Sequence, residues 1–344
     1  MNPLAIGIGF VSVLFYLLYR RHKIMREKLP PGPPSIPLIG SLPFVKNRKR
    51  GHADAILHKS LYKYDPDLYT MWLGSIPLIV IQNFKLAKEL FAGDEFSGRP
   101  TGFHNQYVRG IGGECMGIVM TMGRFWQDQR RFTLKHLKDL GFGRKTLDTI
   151  IQDEIKCLIE NLSLKAKDGD VLIDTIFNFP IINILWQIVA SKKYDPNLLE
   201  SKTMMKKISK IFQVGPPALD YILQPVRYFL PLFKVDQMTL DLKNMFREQV
   251  QELEHEYNVG EEPRNFIELY LREIHQQQNT PHVSIEGKYS NFNTEQLATI
   301  CLDFFQVGSE TSSTTLSWAV MYLSLNPDVQ EICLKEIEKI IGGK

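Results

Sequence analysis

The sequence predicts a mainly α-helical protein with a small β-sheet. Apolar residues recur with helical period along most of the chain after residue 84. Two short apolar runs at 68–73 and 77–81 flank Gly74-Ser75, a pattern typical of a single β-hairpin. The proline-free run 294–325 is long enough for a helix of about 48 Å. Since it carries apolar residues on nearly all faces, we expect it to cross the middle of the domain.

Composition is that of a folded globular protein. The chain has 344 residues, of which 44% are hydrophobic and 23% charged, so disordered and low-complexity classes are excluded. The net charge of +3 predicts no nucleic-acid partner. The four cysteines are too widely spaced for a zinc or iron–sulfur motif and too few for a disulfide framework. A reduced, cytosol-facing protein is the expectation.

The N-terminus resembles a membrane anchor. Residues 4–19 are uncharged and mostly apolar, about 24 Å of helix, and a basic stretch follows from Arg20 to Arg26. A cleavable signal peptide has its charges before the apolar run, whereas here they come after it. The positive-inside rule then leaves the rest of the chain in the cytosol. We therefore predict an anchor at 1–23 in the lipid bilayer; a buried core helix is the alternative.

A proline-rich segment follows the predicted anchor. Five prolines between positions 30 and 37 exclude helix and favour a stiff extended spacer, so 24–43 is predicted to be a hinge. A bare linker is the alternative, and a proline-rich ligand for another domain is less favoured because Ile36, Leu38 and Ile39 look suited to packing. The domain proper would occupy 44–344, with a second membrane contact or ordinary core packing at 224–233 and a surface loop at 279–293. Further helices are predicted at 85–91, 124–138, 145–166, 174–190, 201–212, 236–257, 266–277 and 328–341.

The middle of the long helix has an unusual composition. Gly308 weakens a helix by about 1 kcal/mol relative to alanine, and the Ser/Thr run after it can bond back to carbonyls one turn earlier. A gap beside Gly308, with the carboxyl of Glu310 and the hydroxyl of Thr311, could bind a small molecule and pass protons to it. A Ser/Thr-rich packing face is the alternative.

The helix at 124–138 carries a possible anion site. Trp126 and Arg130 are four residues apart and share one face, where an indole N–H and a guanidinium suit an anionic group on a flat ligand. Arg131, Lys135 and Lys138 form a neighbouring exposed stripe that could dock an acidic partner. The alternative is a solvated basic face with Trp126 as an anchor.

Taken together, these elements resemble a microsomal cytochrome P-450. The order is shared: anchor, proline-rich hinge, hairpin, W-x-x-x-R helix and G-x-E-T helix. Segments 96–100, 132–147 and 326–330 are similar to that family's sequences too. The resemblance covers essentially the whole chain. It implies the family's fold in incomplete form, and a haem-thiolate monooxygenase on the cytosolic side of the endoplasmic reticulum membrane.

The resemblance also implies roles for particular residues. The haem propionates would be held by Arg99, Trp126 and Arg130. The oxygen site would be lined by Gly308, Glu310 and Thr311, with the last two relaying protons. The pocket for an apolar substrate (a xenobiotic, a lipid, or a hormone terpenoid or steroid) would be shaped by Phe103, Val119, Met120, Asp303, Phe304 and Val307. The NADPH-dependent P-450 reductase would meet Arg131, Lys135 and Lys138.

Two departures from the family pattern stand out. The family usually has alanine or glycine at the position of Val307. Its axial cysteine lies in a late F-x-x-G-x-x-x-C-x-G loop, which the sequence lacks; Cys115-Met116-Gly117 matches only the last three positions. We therefore expect the iron ligand beyond Lys344, no metal ligand within the chain, and no activity from this portion alone. The alternatives are a membrane-tethered helical fragment with an interaction or regulatory role, and a binding module unrelated to haem.

Overall fold

A computed structural model describes residues 3–44, 64–141, 145–167, 169–173, 176–214, 229, 233–258, 260–279 and 291–342. The chain divides into two compact units. The first consists of Met1–Val108, Gly112–Glu114 and Val214–Gln237, and the second of Arg109–Ile111, Cys115–Gln213 and Met238–Lys344. The mainly helical class with one small sheet is confirmed.

The first unit contains the predicted hairpin. Strands β1 (Leu68–Leu73) and β2 (Ile76–Ile81) pair in antiparallel register, from Leu68 opposite Ile81 to Leu73 opposite Ile76. Tyr69, Met71 and Val80 form a buried cluster on one face of the hairpin, and Thr70 and Trp72 on the other face of β1 are buried as well. Helix α2 (Phe84–Leu90) follows, and the Asn83 side chain caps it by accepting from two backbone N–H groups.

The proline-rich segment is attached to β1 by backbone hydrogen bonds. The Thr70 N–H donates to the Pro31 carbonyl at 2.9 Å, and the Ser41 N–H donates to the Trp72 carbonyl at 2.8 Å. The expected packing is wrong for Leu38 and Ile39, which are each 45% exposed, whereas Ile36 is half-buried. The segment therefore attaches to β1 through its main chain. A proline residue can take part only as an acceptor, because it has a backbone carbonyl but no N–H.

The predicted anchor forms helix α1 (Pro3–Glu27), which continues past the apolar run through the basic residues. Among the described residues no helix is long and apolar enough to cross a bilayer. The structure therefore does not support the predicted membrane-spanning helix.

The second unit is helical throughout. Its helices are α3 (Gly123–Asp139), α4 (Lys145–Lys165), α5 (Asn178–Ala190), α6 (Leu199–Val214), α7 (Lys234–Glu256, which begins in the first unit), α8 (Phe266–Asn279), α9 (Thr294–Leu325) and α10 (Pro327–Ile341). Most bounds match the sequence prediction within two residues. Helix α5 begins at Asn178, later than predicted, and Pro180 sits in its first turn, where a missing N–H costs no hydrogen bond.

Helix α9 is central in its first half. Side chains from Gln296 to Leu302 are all buried there, and Phe305 packs edge-on against Trp186 with ring centroids 4.8 Å apart. Phe246 of α7 contacts the same ring of Phe305 at 4.6 Å. The prediction of a helix through the core is confirmed for this half. The predictions for 224–233 and 279–293 fall almost wholly outside the described residues.

Candidate functional site

A cavity of about 410 Å³, called here the α3–α9 cavity, lies in the second unit among α3, α5 and α9. Its wall is mostly apolar, as is typical of pockets for small organic molecules. The residues that line it are Ile118, Val119, Arg130, Thr133, Leu134, Leu137, Leu185, Ile188, Val189, Asp303, Phe304, Val307 and Gly308. Six residues singled out by the sequence are thus brought together: Val119, Arg130, Asp303, Phe304, Val307 and Gly308.

Arg130 brings a positive charge to the cavity wall. Its guanidinium carbon lies 5.3 Å from the centroid of the Trp126 ring, which confirms that the two side chains share one face of α3. Within the part of the chain that the structure describes, Arg130 forms no ion pair. A guanidinium that is positioned by contact with an indole ring and is not neutralised by a carboxylate is suited to binding an anionic group.

Asp303 is a structural anchor as well as a wall residue. Its side chain is buried, and its carboxylate pairs with the guanidinium of Arg109. The carboxylate also accepts the backbone N–H groups of Ile118 at 2.6 Å and Val119 at 3.1 Å. The Asp303 carboxylate thus fixes the loop that presents Val119 to the cavity, and its expected role in shaping the substrate pocket stays a prediction.

Gly117 completes this attachment of the loop to α9. Its N–H donates to the side-chain oxygen of Gln296 at 2.8 Å, and its carbonyl accepts from the same side chain at 3.0 Å. Gly117 has a φ of +88°, and a Cβ there would lie 2.3 Å from a carboxylate oxygen of Asp303. Both the backbone conformation and the close approach require glycine.

Arg109 is the residue that sequence reasoning missed. It is buried, pairs with Asp303, and donates to the side-chain oxygen of Gln306 at 2.6 Å. Its Nε and the Gln306 Nε2 are buried without a hydrogen-bond partner among the described residues. No local pattern could have revealed it, because its partners on α9 lie more than 190 positions away.

Glu310 and Thr311 lie outside the cavity wall. The Glu310 carboxylate is 3.1 Å from the Ser209 hydroxyl of α6, whereas the exposed Thr311 hydroxyl donates to the Val307 carbonyl at 2.7 Å. Consecutive residues of an α-helix point about 100° apart, so these two side chains face different surroundings. The bonding back to carbonyls one turn earlier is confirmed, at Ser309, Thr311 and Thr315. The proposed proton relay stays a prediction.

The expected gap beside Gly308 is largely filled. A Cβ at Gly308 would lie 2.3 Å from Cδ1 of Leu185, which belongs to α5. The missing side chain thus allows α5 and α9 to approach closely, a packing role that the sequence prediction did not anticipate. Both residues border the cavity, so this contact also sets one of its edges.

The remaining predicted site residues have varied surroundings. Arg99 of the first unit donates to the carbonyls of Ser97 and Gly98, and Phe103 of the same unit stacks on Tyr107. Met120 is half-buried beside Val119 and is not part of the cavity wall. Three basic residues are exposed along α3, as predicted: Arg131, Lys135 and Lys138.

Burial disfavours the thiolate form of two cysteines, Cys115 and Cys301. Cys301 is fully buried, and burial raises its pKa well above the usual range, which disfavours the thiolate. Burial also raises the pKa of Cys115. Among the described residues no group of three His, Cys, Asp or Glu side chains could hold a metal ion.

Comparison with known proteins identifies the family. The cytochrome P450 family model matches residues 30–344. The chain is 29% identical to farnesoate epoxidase of Bombyx mori, over 98% of this chain and 67% of that protein. It is 30% identical to cytochrome P450 2C50 of Mus musculus and 27% identical to cytochrome P450 2C8 of Homo sapiens, over 99% of this chain and 68% of each. The chain spans about two thirds of the length of these relatives, and it belongs to the cytochrome P450 family.

Proposed function

We propose that the chain forms part of a haem-thiolate monooxygenase that oxidises an apolar small molecule with O2 and electrons from a reductase. The family implies haem as the cofactor. When bound, haem supplies the activation of O2 that no amino-acid side chain can provide. The residues of this chain would bind the macrocycle, shape the space beside it and exclude water.

The residues around the α3–α9 cavity fit a haem. A flat macrocycle with carboxylate groups needs an apolar slot with a cation at one edge, and the cavity wall is apolar with Arg130 as its cation. The Thr133 hydroxyl borders the same cavity and is buried without a hydrogen-bond partner among the described residues. This combination is the observation that carries the proposal. Arg130 and Trp126 would hold a propionate; Arg99 is assigned the same role on the family resemblance alone.

The apolar wall supports an apolar substrate. Val119, Phe304 and Val307 present hydrocarbon surface to the cavity, and among the described residues the charged side chains in its wall are Arg130 and Asp303. Because Asp303 is already paired and hydrogen-bonded, this described wall offers no free carboxylate to a cationic substrate. Phe103 and Met120 are proposed to extend this wall. The name farnesoate epoxidase of one relative favours a terpenoid or similar lipid among the possible substrates, alongside steroids and xenobiotics.

We assign proton supply to Glu310 and Thr311, which lie on α9 outside the cavity wall. The Thr311 hydroxyl would hand on a proton, while Gly308 allows α5 to approach α9 one turn before it. For that step Thr311 Oγ1 must give up its present hydrogen bond to the Val307 carbonyl. The Glu310 carboxylate would replace the proton, after releasing the Ser209 hydroxyl.

Two surfaces support the proposed partners. The exposed basic stripe of Arg131, Lys135 and Lys138 would dock an acidic face of the NADPH-dependent reductase.

Helix α1 exposes large apolar side chains such as Phe10, Phe15 and Leu17. We propose that this helix attaches the protein to the endoplasmic reticulum membrane, with the basic residues that follow meeting the lipid headgroups.

The test compares two neighbouring arginines in the full-length protein. Arg130→Ala should lower haem content about fivefold or more, because a hydrogen-bonded charge pair of this kind is worth about 1–3 kcal/mol. Arg131→Ala is the matched control, since its side chain is exposed and does not border the cavity. Haem per protein and the absorbance of the chemically reduced, CO-bound form are measured for each. Equal haem content in both variants would contradict the proposal.

A further inference from the structure

A second cavity of about 1090 Å³ lies in the second unit among α4, α5 and α6. It shares no lining residue with the α3–α9 cavity, so it is a separate site on the same unit. Its volume is at the upper end of the range for small-molecule pockets. The assigned function makes no use of it.

The floor of this cavity is apolar. Leu158 of α4, Phe179 of α5 and Met205 of α6 face it from three helices, and Leu172 and Ile176 line it from the connection before α5. Leu172 is 77% exposed, so a large apolar side chain faces solvent at the edge of the cavity. A floor of this kind favours a hydrocarbon chain.

The rim of the same cavity is basic. Lys202, Lys206 and Lys210 line it at successive turns of α6, and Lys165 lines it from the end of α4. In the described part of the chain none of these four lysines forms an ion pair. A row of unneutralised ammonium groups beside an apolar floor is complementary to an anion that carries a hydrocarbon tail.

The acidic residues at the cavity do not neutralise this row. Glu154 is buried and pairs with a fifth lysine, Lys193, at 2.9 Å. Asp195 accepts the backbone N–H of Asn197 at 2.8 Å within a tight turn. Lys207, which does not line the cavity, pairs with Asp241 of α7 at 2.7 Å. Of the lysines that line the cavity, Lys193 is therefore paired, whereas the row on α6 and Lys165 have no carboxylate partner among the described residues.

We propose that this cavity binds a long-chain carboxylate amphiphile, with the carboxylate among Lys202, Lys206 and Lys210 and the acyl chain on the apolar floor. An inorganic anion or a nucleic acid would use the lysines and gain nothing from the floor. A neutral lipid would use the floor and gain nothing from the lysines. The proposal goes beyond the monooxygenase activity and does not depend on it.

The test measures binding of oleate and of oleyl alcohol to the full-length protein by equilibrium dialysis at low salt. Oleate should bind about tenfold more tightly, and Lys206→Gln with Lys210→Gln should remove most of that difference, since two exposed ion pairs are lost. Lys156→Gln with Lys335→Gln is the matched control, because both lysines are exposed and lie away from the cavity. Raising the salt concentration should weaken oleate binding in the wild type and weaken it less in the cavity variant, which keeps Lys202 and Lys165.

A second pair of variants separates this cavity from the α3–α9 cavity. Leu172→Ser should weaken oleate binding several-fold with little effect on folding, because the side chain is exposed. Val307→Phe should leave this binding unchanged, because Val307 lines the other cavity only. Equal affinity for acid and alcohol, or a loss of binding in Val307→Phe alone, would overturn the proposal. Lysine-dependent binding to phosphatidylserine vesicles without oleate binding would also overturn it and indicate a membrane surface.

Discussion

In the first half of α9, from Thr294 to Gln306, nearly every side chain is buried, and Leu297, Ile300 and Phe305 are inaccessible to solvent. In the second half, Trp318 is 52% exposed, and Leu316 and Leu325 are also exposed. The two halves belong to one continuous helix of similar apolar content. What differs is their surroundings, because Trp186 of α5 and Phe246 of α7 pack around Phe305 of the first half, whereas α10, which follows the second half, has no buried residue itself.

The difference shows where the functional constraints of the unit lie. The buried half carries Asp303 and Gln296, which hold the loop at 117–119, and Phe304, which forms part of the cavity wall. The exposed half carries apolar side chains with few neighbours among the described residues. Contiguous exposed apolar surface of this kind marks an interface. The first half is therefore expected to be sensitive to substitution and the second half tolerant.

The largest expected effect comes from removing the charge that anchors the loop. Asp303→Ala should destabilise the protein by about 3–5 kcal/mol, because it leaves Arg109 as an unpaired buried cation and releases two backbone N–H groups. Glu331→Ala is the control: it also breaks an ion pair, that of Glu331 with Lys335, but both side chains are exposed, so the cost should stay below about 1 kcal/mol. Urea denaturation of both variants measures these costs. Similar midpoints would show that the hydrogen bonds and ion pair of Asp303 add no stability.

Two aromatic residues on α9 test the comparison more directly. Phe305→Ala should cost about 3–4 kcal/mol, because it opens a cavity among Trp186, Tyr194 and Phe246. Trp318→Ala removes a larger ring, but from an exposed site in contact with Tyr322, so its cost should be within about 0.5 kcal/mol. Thermal unfolding monitored by circular dichroism measures both. A large loss of stability in Trp318→Ala would mean that the second half is also packed.

Periodicity and turn chemistry predicted most of the fold. The bounds of α9 follow from Asn293, whose side chain caps the helix, and from the Asn326-Pro327 restart of α10. Helix α5 was placed too early, because apolar content alone does not show where a helix begins. The distinction between the two halves of α9 was not predicted, because burial depends on neighbouring helices rather than on the helix's own composition.

The site was predicted where its chemistry is local and missed where it is long-range. Trp126 and Arg130 are four residues apart on one helix, so their common face follows from the sequence. The attachment of Gly117 to Gln296 and Asp303 joins positions about 180 residues apart and leaves no local pattern. Gly308 was noted as a weak point of α9, yet its role as the contact with Leu185 depends on a helix far away in sequence.

A buried lysine beside the first half of α9 makes stability depend on pH. Lys243 is 2% exposed, donates to the Gly110 carbonyl at 2.9 Å and lies 3.9 Å from Glu295. Burial lowers its pKa from 10.5 to about 8, although Glu295 opposes that shift. Between pH 8 and 10.5 the unfolded chain binds the proton that the folded state has released, so stability rises with pH. From pH 8.5 to 10 the gain in the free energy of unfolding is about 2 kcal/mol.

In Lys243→Met this gain should vanish, and urea denaturation at several pH values between 8.5 and 10 measures it. An unchanged pH profile in the variant would exclude Lys243 as its source.

The smallest expected effect is on the exposed face of α10. Ile337 and Ile340 are exposed, so Ile337→Gln with Ile340→Gln should change the free energy of unfolding by no more than about 0.5 kcal/mol. The same pair should reduce self-association of the 344-residue chain, because it interrupts a continuous apolar surface. Sedimentation at several protein concentrations measures association, and Glu336→Gln with Glu338→Gln on the same helix is the control, because both residues are also exposed. If the isoleucine variant associated as strongly as the wild type, the apolar face of α10 would not be the surface that mediates self-association. The exposed half of α9 would then be the next place to substitute.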